Sequence, residues 1–398
     1  MNTFSRFCSV FLLASAAILS SVNESEAQTE NKTKLGKGVQ FVAADSSFSL
    51  KVSPFFQVLY QGGNNPATET WDDRFLIRRL RLKLEGFAYS PKLEYKIALG
   101  FSNSDMGGEP RAENNFGSNI VLDAFIKWEM AQGLSLMVGQ AKLPGNRERL
   151  VSSQKMQFVD RSLLNSRFNL DRDAGLQLQY EHQLGTVIFR ETASIATGDG
   201  RGNTTNHRGG YDYTGRFEVL PFGAFEGGGE YSGGDLVREQ TPKLALAAAF
   251  DYNDGATRER GQNGDNLSQQ RDLRTLFIDA MFKYRGFSAM GEYVHKRAEG
   301  SPVVLVDEAG DVEETFVTGN AFNVQAGYLL PANWEIAGRY TTYNPTAVTQ
   351  ITPEKQYTLG LSKYIVGHNL KVQSDLTLQD RPGRTETYQF RVQLQVGI

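Results

Sequence analysis

Between Ile77 and Gly86 the chain reads Ile77-Arg78-Arg79-Leu80-Arg81-Leu82-Lys83-Leu84-Glu85-Gly86. Arg79, Arg81 and Lys83 recur at every second position with leucines between them, and in an extended chain alternate side chains point to opposite faces. Three cations would therefore stack along one face while the leucines cover the other. Such a column makes charge-assisted hydrogen bonds to an oxyanion and can hand it from one cation to the next. The competing reading is that the charges occupy the only wet face and are balanced by carboxylates such as Glu85 and Glu94. A second concentration of cations lies between Leu143 and Asp173, where Arg147, Arg149, Lys155, Arg161, Arg167 and Arg172 stand against Glu148, Asp160, Asp171 and Asp173. By alternation Lys96 falls on the same face as the column.

The elements that must position these residues are strands. Period-two runs bounded by Gly, Pro, Asn or Asp occur sixteen times, at 48–61, 75–88, 92–103, 119–130, 134–142, 174–183, 186–197, 210–220, 243–253, 273–285, 287–297, 320–330, 334–344, 355–365, 370–379 and 387–398. The run Tyr388 to Ile398 alternates apolar with polar or small side chains without a break. Short connections, such as Leu184-Gly185 and Arg285-Gly286, alternate with long polar ones at 62–74, 104–118, 143–173, 254–272 and 298–319. Tight turns on one rim and long loops on the other are the two ends of an antiparallel transmembrane β-barrel in an outer membrane. Trp128, Tyr284, Phe287, Tyr328, Trp334, Tyr388 and Phe390 sit near strand ends, where amphipathic rings favour the lipid interface.

The chain opens with Arg6, an apolar run from Phe7 to Leu19 and Ser25-Glu26-Ala27, which reads as a cleavable secretory signal at 1–27. Residues 28–47 would form a short periplasmic segment and 48–398 the barrel. Cys8, the only cysteine, lies within the signal, so disulfides, thiolate catalysis and cysteine metal sites are excluded from the exported chain. The net charge of −3, or −2 once Arg6, Glu24 and Glu26 are removed, offers no basic surface for nucleic acid. After the leader no stretch has eighteen consecutive apolar residues, which excludes a helical span but not strands with one apolar face.

Sixteen strands enclose an aqueous channel, whereas eight fill their own interior. The apolar residues Leu150, Val151, Met156, Phe158 and Val159 in the segment 143–173 argue that it packs, and it is expected to fold inward and narrow the barrel. In the second strand the apolar parity switches between Ile77 and Leu80, which implies a β-bulge at Arg78-Arg79. Residues 221–242 break the rule of short turns; with Gly227, Gly228, Gly229, Gly233 and Gly234 they read as a flexible linker. Alternation places twelve cations and nine carboxylates on the inner face, a weak anion bias.

Several motifs together carry a resemblance. Ile77-Arg78-Arg79-x-Arg81-Leu82 with Glu85-Gly86, Asp123-Ala124-Phe125, Gly139-Gln140-x-Lys142-x-Pro144, Phe158-Val159-Asp160-Arg161-Ser162, Arg172-Asp173-x-Gly175-Leu176-Gln177-Leu178 and Phe282-Lys283-Tyr284-x-Gly286-Phe287 are similar to the phosphate-selective porin O and P family. The resemblance implies a sixteen-stranded, trimeric channel in the outer membrane, surrounded by its lipid, with small anionic solutes such as phosphate moving along basic residues past a constricting third loop. The candidate pore-lining and anion-binding residues are Arg79, Arg81, Lys83, Lys96, Arg147, Arg149, Lys155 and Arg161. The family often continues with Phe-Gly after Pro144, whereas this chain has Gly145-Asn146-Arg147-Glu148, a departure at the constriction.

Enzymatic activity is the first rival. His182, His207, His295 and His368 are scattered with no nucleophile motif, so no catalytic residue is expected. No metal or other cofactor is expected either: Asp251-Tyr252-Asn253-Asp254-Gly255 lacks the closing carboxylate of a calcium loop, having Gln262 there. The serious alternative is a non-transporting structural or adhesive barrel whose extracellular loops bind partners.

Overall fold

The computed structural model describes residues 34–106, 120–202 and 209–398. Residues 1–27, expected from the sequence to be a signal, most of the connection at 104–118 and His207 lie outside the described residues. Sixteen strands form the wall: β2 (Ser49–Asn65), β3 (Thr70–Ala88), β4 (Ser90–Gly100), β5 (Val121–Ala131), β6 (Leu134–Lys142), β7 (Arg172–Leu184), β8 (Val187–Ala196) and β9 (Asp212–Leu220). The second half comprises β10 (Lys243–Arg258), β11 (Asn266–Tyr284), β12 (Phe287–Ala298), β15 (Gly319–Leu329), β16 (Trp334–Pro345), β17 (Glu354–Val366), β18 (Leu370–Asp380) and β19 (Thr387–Gly397). Each strand pairs antiparallel with the next, and β19 returns to β2 from Gln389 opposite Gly63 to Gly397 opposite Phe55, closing the barrel. A short β1 (Val39–Val42) continues the sheet beneath by pairing with the start of β2, and β13 (Val303–Val306) with β14 (Val312–Thr315) makes a hairpin on the loop rim.

Alternation decides which side faces out. Leu359 is 62% exposed, and Leu80, Ile126, Leu178, Phe250, Ile278 and Ile336 are also open on the outer face. A soluble protein would not tolerate this continuous apolar belt, whereas a barrel wall in hydrocarbon requires it. The tight turns demand left-handed backbone, supplied by Tyr89 (φ 67°), Gly133 (φ 74°), Gly185 (φ 62°) and the Arg285-Gly286 pair (φ 46° and 89°).

At the loop rim the segments 62–74 and 254–272 are largely strand, because β2, β3, β10 and β11 run on beyond the apolar belt. Both faces are wet there, so the alternation that marks a strand in sequence vanishes although the hydrogen-bonded ladder continues. The bulge in β3 is present: Arg79 faces Gln57 and Ile77 faces Val58, leaving Arg78 as the extra residue.

The interior is packed rather than empty. Leu143, Leu163, Leu164, Phe168 and Leu170 pack with Ala249, Phe277, Val294, Ala321 and Tyr343, so the connection between β6 and β7 lies against the inner faces of β10 to β16. It carries two short helices, α2 (Arg147–Leu150) and α3 (Leu163–Phe168), following α1 (Asn103–Met106) in an earlier connection. Ser162 caps α3 by accepting from the Asn165 amide at 3.2 Å.

Residues 221–242 are not the flexible linker that their glycines suggest. They enter from the turn rim and are held by Tyr231, whose hydroxyl donates to Glu218 at 2.8 Å, and by Asp235, which accepts from the Gly286 amide at 2.7 Å. The glycines serve backbone geometry: Gly227 and Gly228 adopt φ of 61° and 69°, and a Cβ on Gly233 would lie 2.4 Å from the Gln157 nitrogen.

Candidate functional site

The column on β3 faces inward and each member engages the inserted loop. Arg79 donates to Gln57 at 2.7 Å and to Asp160 at 3.0 Å, and Arg78, brought inward by the bulge, reaches the same carboxylate at 2.9 Å. Arg391 on β19 approaches Asp160 at 3.4 Å. Burial works to raise the Asp160 carboxyl, but the three guanidiniums outweigh it and hold it below the ordinary carboxylate range. Arg81 donates to Ser153 at 2.8 Å and to Asp105 at 3.0 Å. Lys83 donates to Gln154 at 3.0 Å and lies 4.9 Å over the Phe55 ring. Lys96 stands 3.8 Å from Asp123, which also accepts from Arg172 at 2.6 Å.

The loop residues separate into two groups. Arg149 pairs with Asp171, while Arg161 donates to the backbone oxygens of Glu148 at 3.0 Å and Val151 at 2.8 Å. Lys155 is exposed. Arg147 is fully buried between Asp279, at 2.7 Å, and Glu218, away from any solvent-facing surface. Burial alone would lower its pKa, but those carboxylates hold it raised and the guanidinium charged.

Three cations missed as candidates complete the cluster. Arg172 and Arg201 both stand close enough to Arg149 to repel it, as Arg172 does Arg161 and Arg201 does Arg81, and Lys142 donates to the backbone oxygens of Leu150 at 3.1 Å and Val151 at 3.3 Å. Burial, reinforced by Arg161, Arg172, Arg81 and Arg201, draws the Arg149 guanidinium well below its usual range. Burial likewise draws Arg161 to about 10, with Glu148 only partly restoring it. A guanidinium does not give up its proton in a protein, so this crowding leaves a positive potential that an anion would relieve.

Water contact on the inner wall is uneven. From β9 to β19 the inward side chains are buried, as Glu292 (2%), Lys296 (1%), Lys371 (0%) and Gln395 (0%) show. On β3 to β8, in the half nearer the turn rim, Lys83, Glu85, Lys96, Lys127, Glu129, Gln179 and Arg190 keep partial exposure and Glu94 and Glu181 are open. Among the described residues no group of three or more His, Cys, Asp or Glu side chains is arranged to hold a metal ion.

The family model described as phosphate-selective porin O and P matches residues 50–395, nearly the whole barrel. The chain belongs to the phosphate-selective porin O and P family. It is thus an outer-membrane porin. An uncharacterised protein of Aquifex aeolicus is 22% identical over 357 residues, covering 81% of this porin and 80% of that protein. Among solved structures, the anion-selective porin from Comamonas acidovorans superposes with a TM-score of 0.58 at 12% identity, over 88% of this porin and 100% of that chain. The outer membrane channel DcaP of Acinetobacter baumannii gives 0.55 at 12% identity, over 90% and 99%. A trimer form of OmpT from Vibrio cholerae gives 0.53 at 9% identity, over 88% and 100%. At these identities the likeness is one of fold, the closed antiparallel sixteen-stranded barrel.

Proposed function

We propose that this porin lets small anions such as phosphate diffuse through a water-filled passage that runs off-axis, along β3 to β8. Solute meets Arg81, Arg149, Arg161, Arg172 and Arg201 at the narrowing, then Lys83 and Lys96 beyond it. The carrying observation is that convergence of guanidiniums where Arg161 spends its bonds on backbone carbonyls, leaving local positive charge for an arriving oxyanion. Lys155 adds an exposed cation on the loop. Arg79 and Arg147, both neutralised by carboxylates, shape the passage rather than line it. Carboxylates share the wider part, so selectivity arises at the narrowing and not from net lumen charge. Lipid contacts the apolar belt, and a homotrimer is the expected assembly.

The test is the reversal potential of the purified protein in a planar bilayer under a potassium chloride gradient. A sign that reports chloride as the faster ion, with phosphate competing for the current, is expected; a cation sign would contradict the proposal. The second reading, a structural or adhesive barrel, is favoured by the burial of the inner face from β9 to β19. It expects a folded protein that opens no channel.

A further inference from the structure

Arg147 joins two parts of the molecule that have no sequence proximity. From the inserted loop its Nε donates to Asp279 on β11 at 2.7 Å and its Nη2 pairs with Glu218 on β9. Its Nη1 donates at 3.1 Å to the backbone oxygen of Glu230, within the glycine-rich segment, and its guanidinium lies 5.4 Å over the Tyr231 ring. Arg216 donates to Asp279 at 2.7 Å, and Arg190 pairs with Glu230 at 2.7 Å. Three guanidiniums thus face three buried carboxylates, with the exposed Glu181 a fourth on Arg190, a set with no positive surplus to offer a solute. A few residues along the loop the same two segments meet again, where the Gly233 amide donates to the Lys155 oxygen at 2.7 Å.

We propose that Arg147 is a positioning residue that locks the inserted loop to the turn-rim segment 221–242, so that the two make one constriction rather than two independent ones. The planar fork serves this junction because it satisfies two carboxylates and a carbonyl while stacking on an aromatic ring, a combination that an ammonium does not reproduce. The segment from the turn rim thereby sets how far the loop, with Arg149 and Arg161, projects over the passage. This rests on the conduction reading only for its current readout, because the junction itself can be followed without current.

The experiment compares the full-length protein with Arg147→Met/Glu218→Gln, which removes one charge of each sign and keeps the buried set balanced, and with Tyr231→Leu, which changes no charge. Folding is verified by the mobility shift of the barrel on heating before electrophoresis. Hydrogen exchange then reports the amide of Gly233, and planar-bilayer recording reports conductance. Both variants are expected to lose protection at 229–234, to raise single-channel conductance about twofold or more and to reduce anion preference. Charge balance would relieve a merely stabilising role, so folded variants with wild-type protection at Gly233 and wild-type conductance would overturn the proposal. A wild-type barrel that opens no channel defeats the conduction reading instead, and loss of protection at Gly233 still decides the junction.

Discussion

Replacing Asp160 by Asn removes one negative charge from the constriction while keeping an oxygen for Arg78, Arg79 and Arg391 to bond. An ion passing roughly 8 Å away in a water-like dielectric feels about 0.5 kcal/mol from a unit charge. Anions gain and cations lose that amount, so the permeability ratio should move about fivefold toward anions in dilute salt. At ~0.1 M, with a screening length of about 10 Å, the gain falls to about twofold. The same change leaves the buried Arg79 and Arg391 and the partly exposed Arg78 without their shared carboxylate and should cost about 3–5 kcal/mol of folding stability. Reversal potentials at two salt concentrations and urea unfolding in vesicles measure both. A reversal potential that stays put, or moves toward cations, would refute the electrostatic reasoning, and an unchanged unfolding midpoint would refute the pinning of the loop.

Arg81→Gln and Lys83→Gln should each lower anion preference in the same recording, with Arg81 the larger because it stands in the cluster of guanidiniums. Leu359→Arg, on the open apolar face, should cost about 2–4 kcal/mol in vesicle refolding, since a charge there enters hydrocarbon; a neutral result would place that face in water. Burial, then Lys371, Lys283 and Lys155, hold the His368 imidazole well below its ordinary range. The folded protein therefore keeps it neutral while the unfolded chain takes up a proton near pH ~6.5. Stability is fully present above that pH and falls as pH drops toward the folded value, by up to about 1.4 kcal/mol per unit. His368→Gln should flatten this slope, and an identical slope would exclude the histidine as its source.

The wall was legible because a barrel strand writes its two environments into alternating residues. All sixteen runs correspond to strands, and even the parity switch at Ile77 to Leu80 marked the bulge. Strand ends were misjudged where alternation stops at the edge of the hydrocarbon, as in β10 and β11. The interior was less readable. Arg147 and Arg149 are two residues apart in the same loop, yet one is sealed between Glu218 and Asp279 and the other joins the guanidinium cluster, because a loop has no fixed period from which to infer direction. Arg201 carried no signal, since only the closed fold brings its connection beside β3. The glycines of 221–242 mark close approach and positive φ as readily as looseness, and composition does not distinguish these uses.

The route itself is the most direct point of attack. With Cys8 replaced, a single cysteine at position 96, on the water-contacting side, and another at position 296, on the packed side, are treated with a bulky anionic thiol reagent during recording. Modification is expected to block current through Lys96→Cys and to leave Lys296→Cys unchanged. Block at position 296 with free conduction after labelling at position 96 would contradict an off-axis passage along β3 to β8.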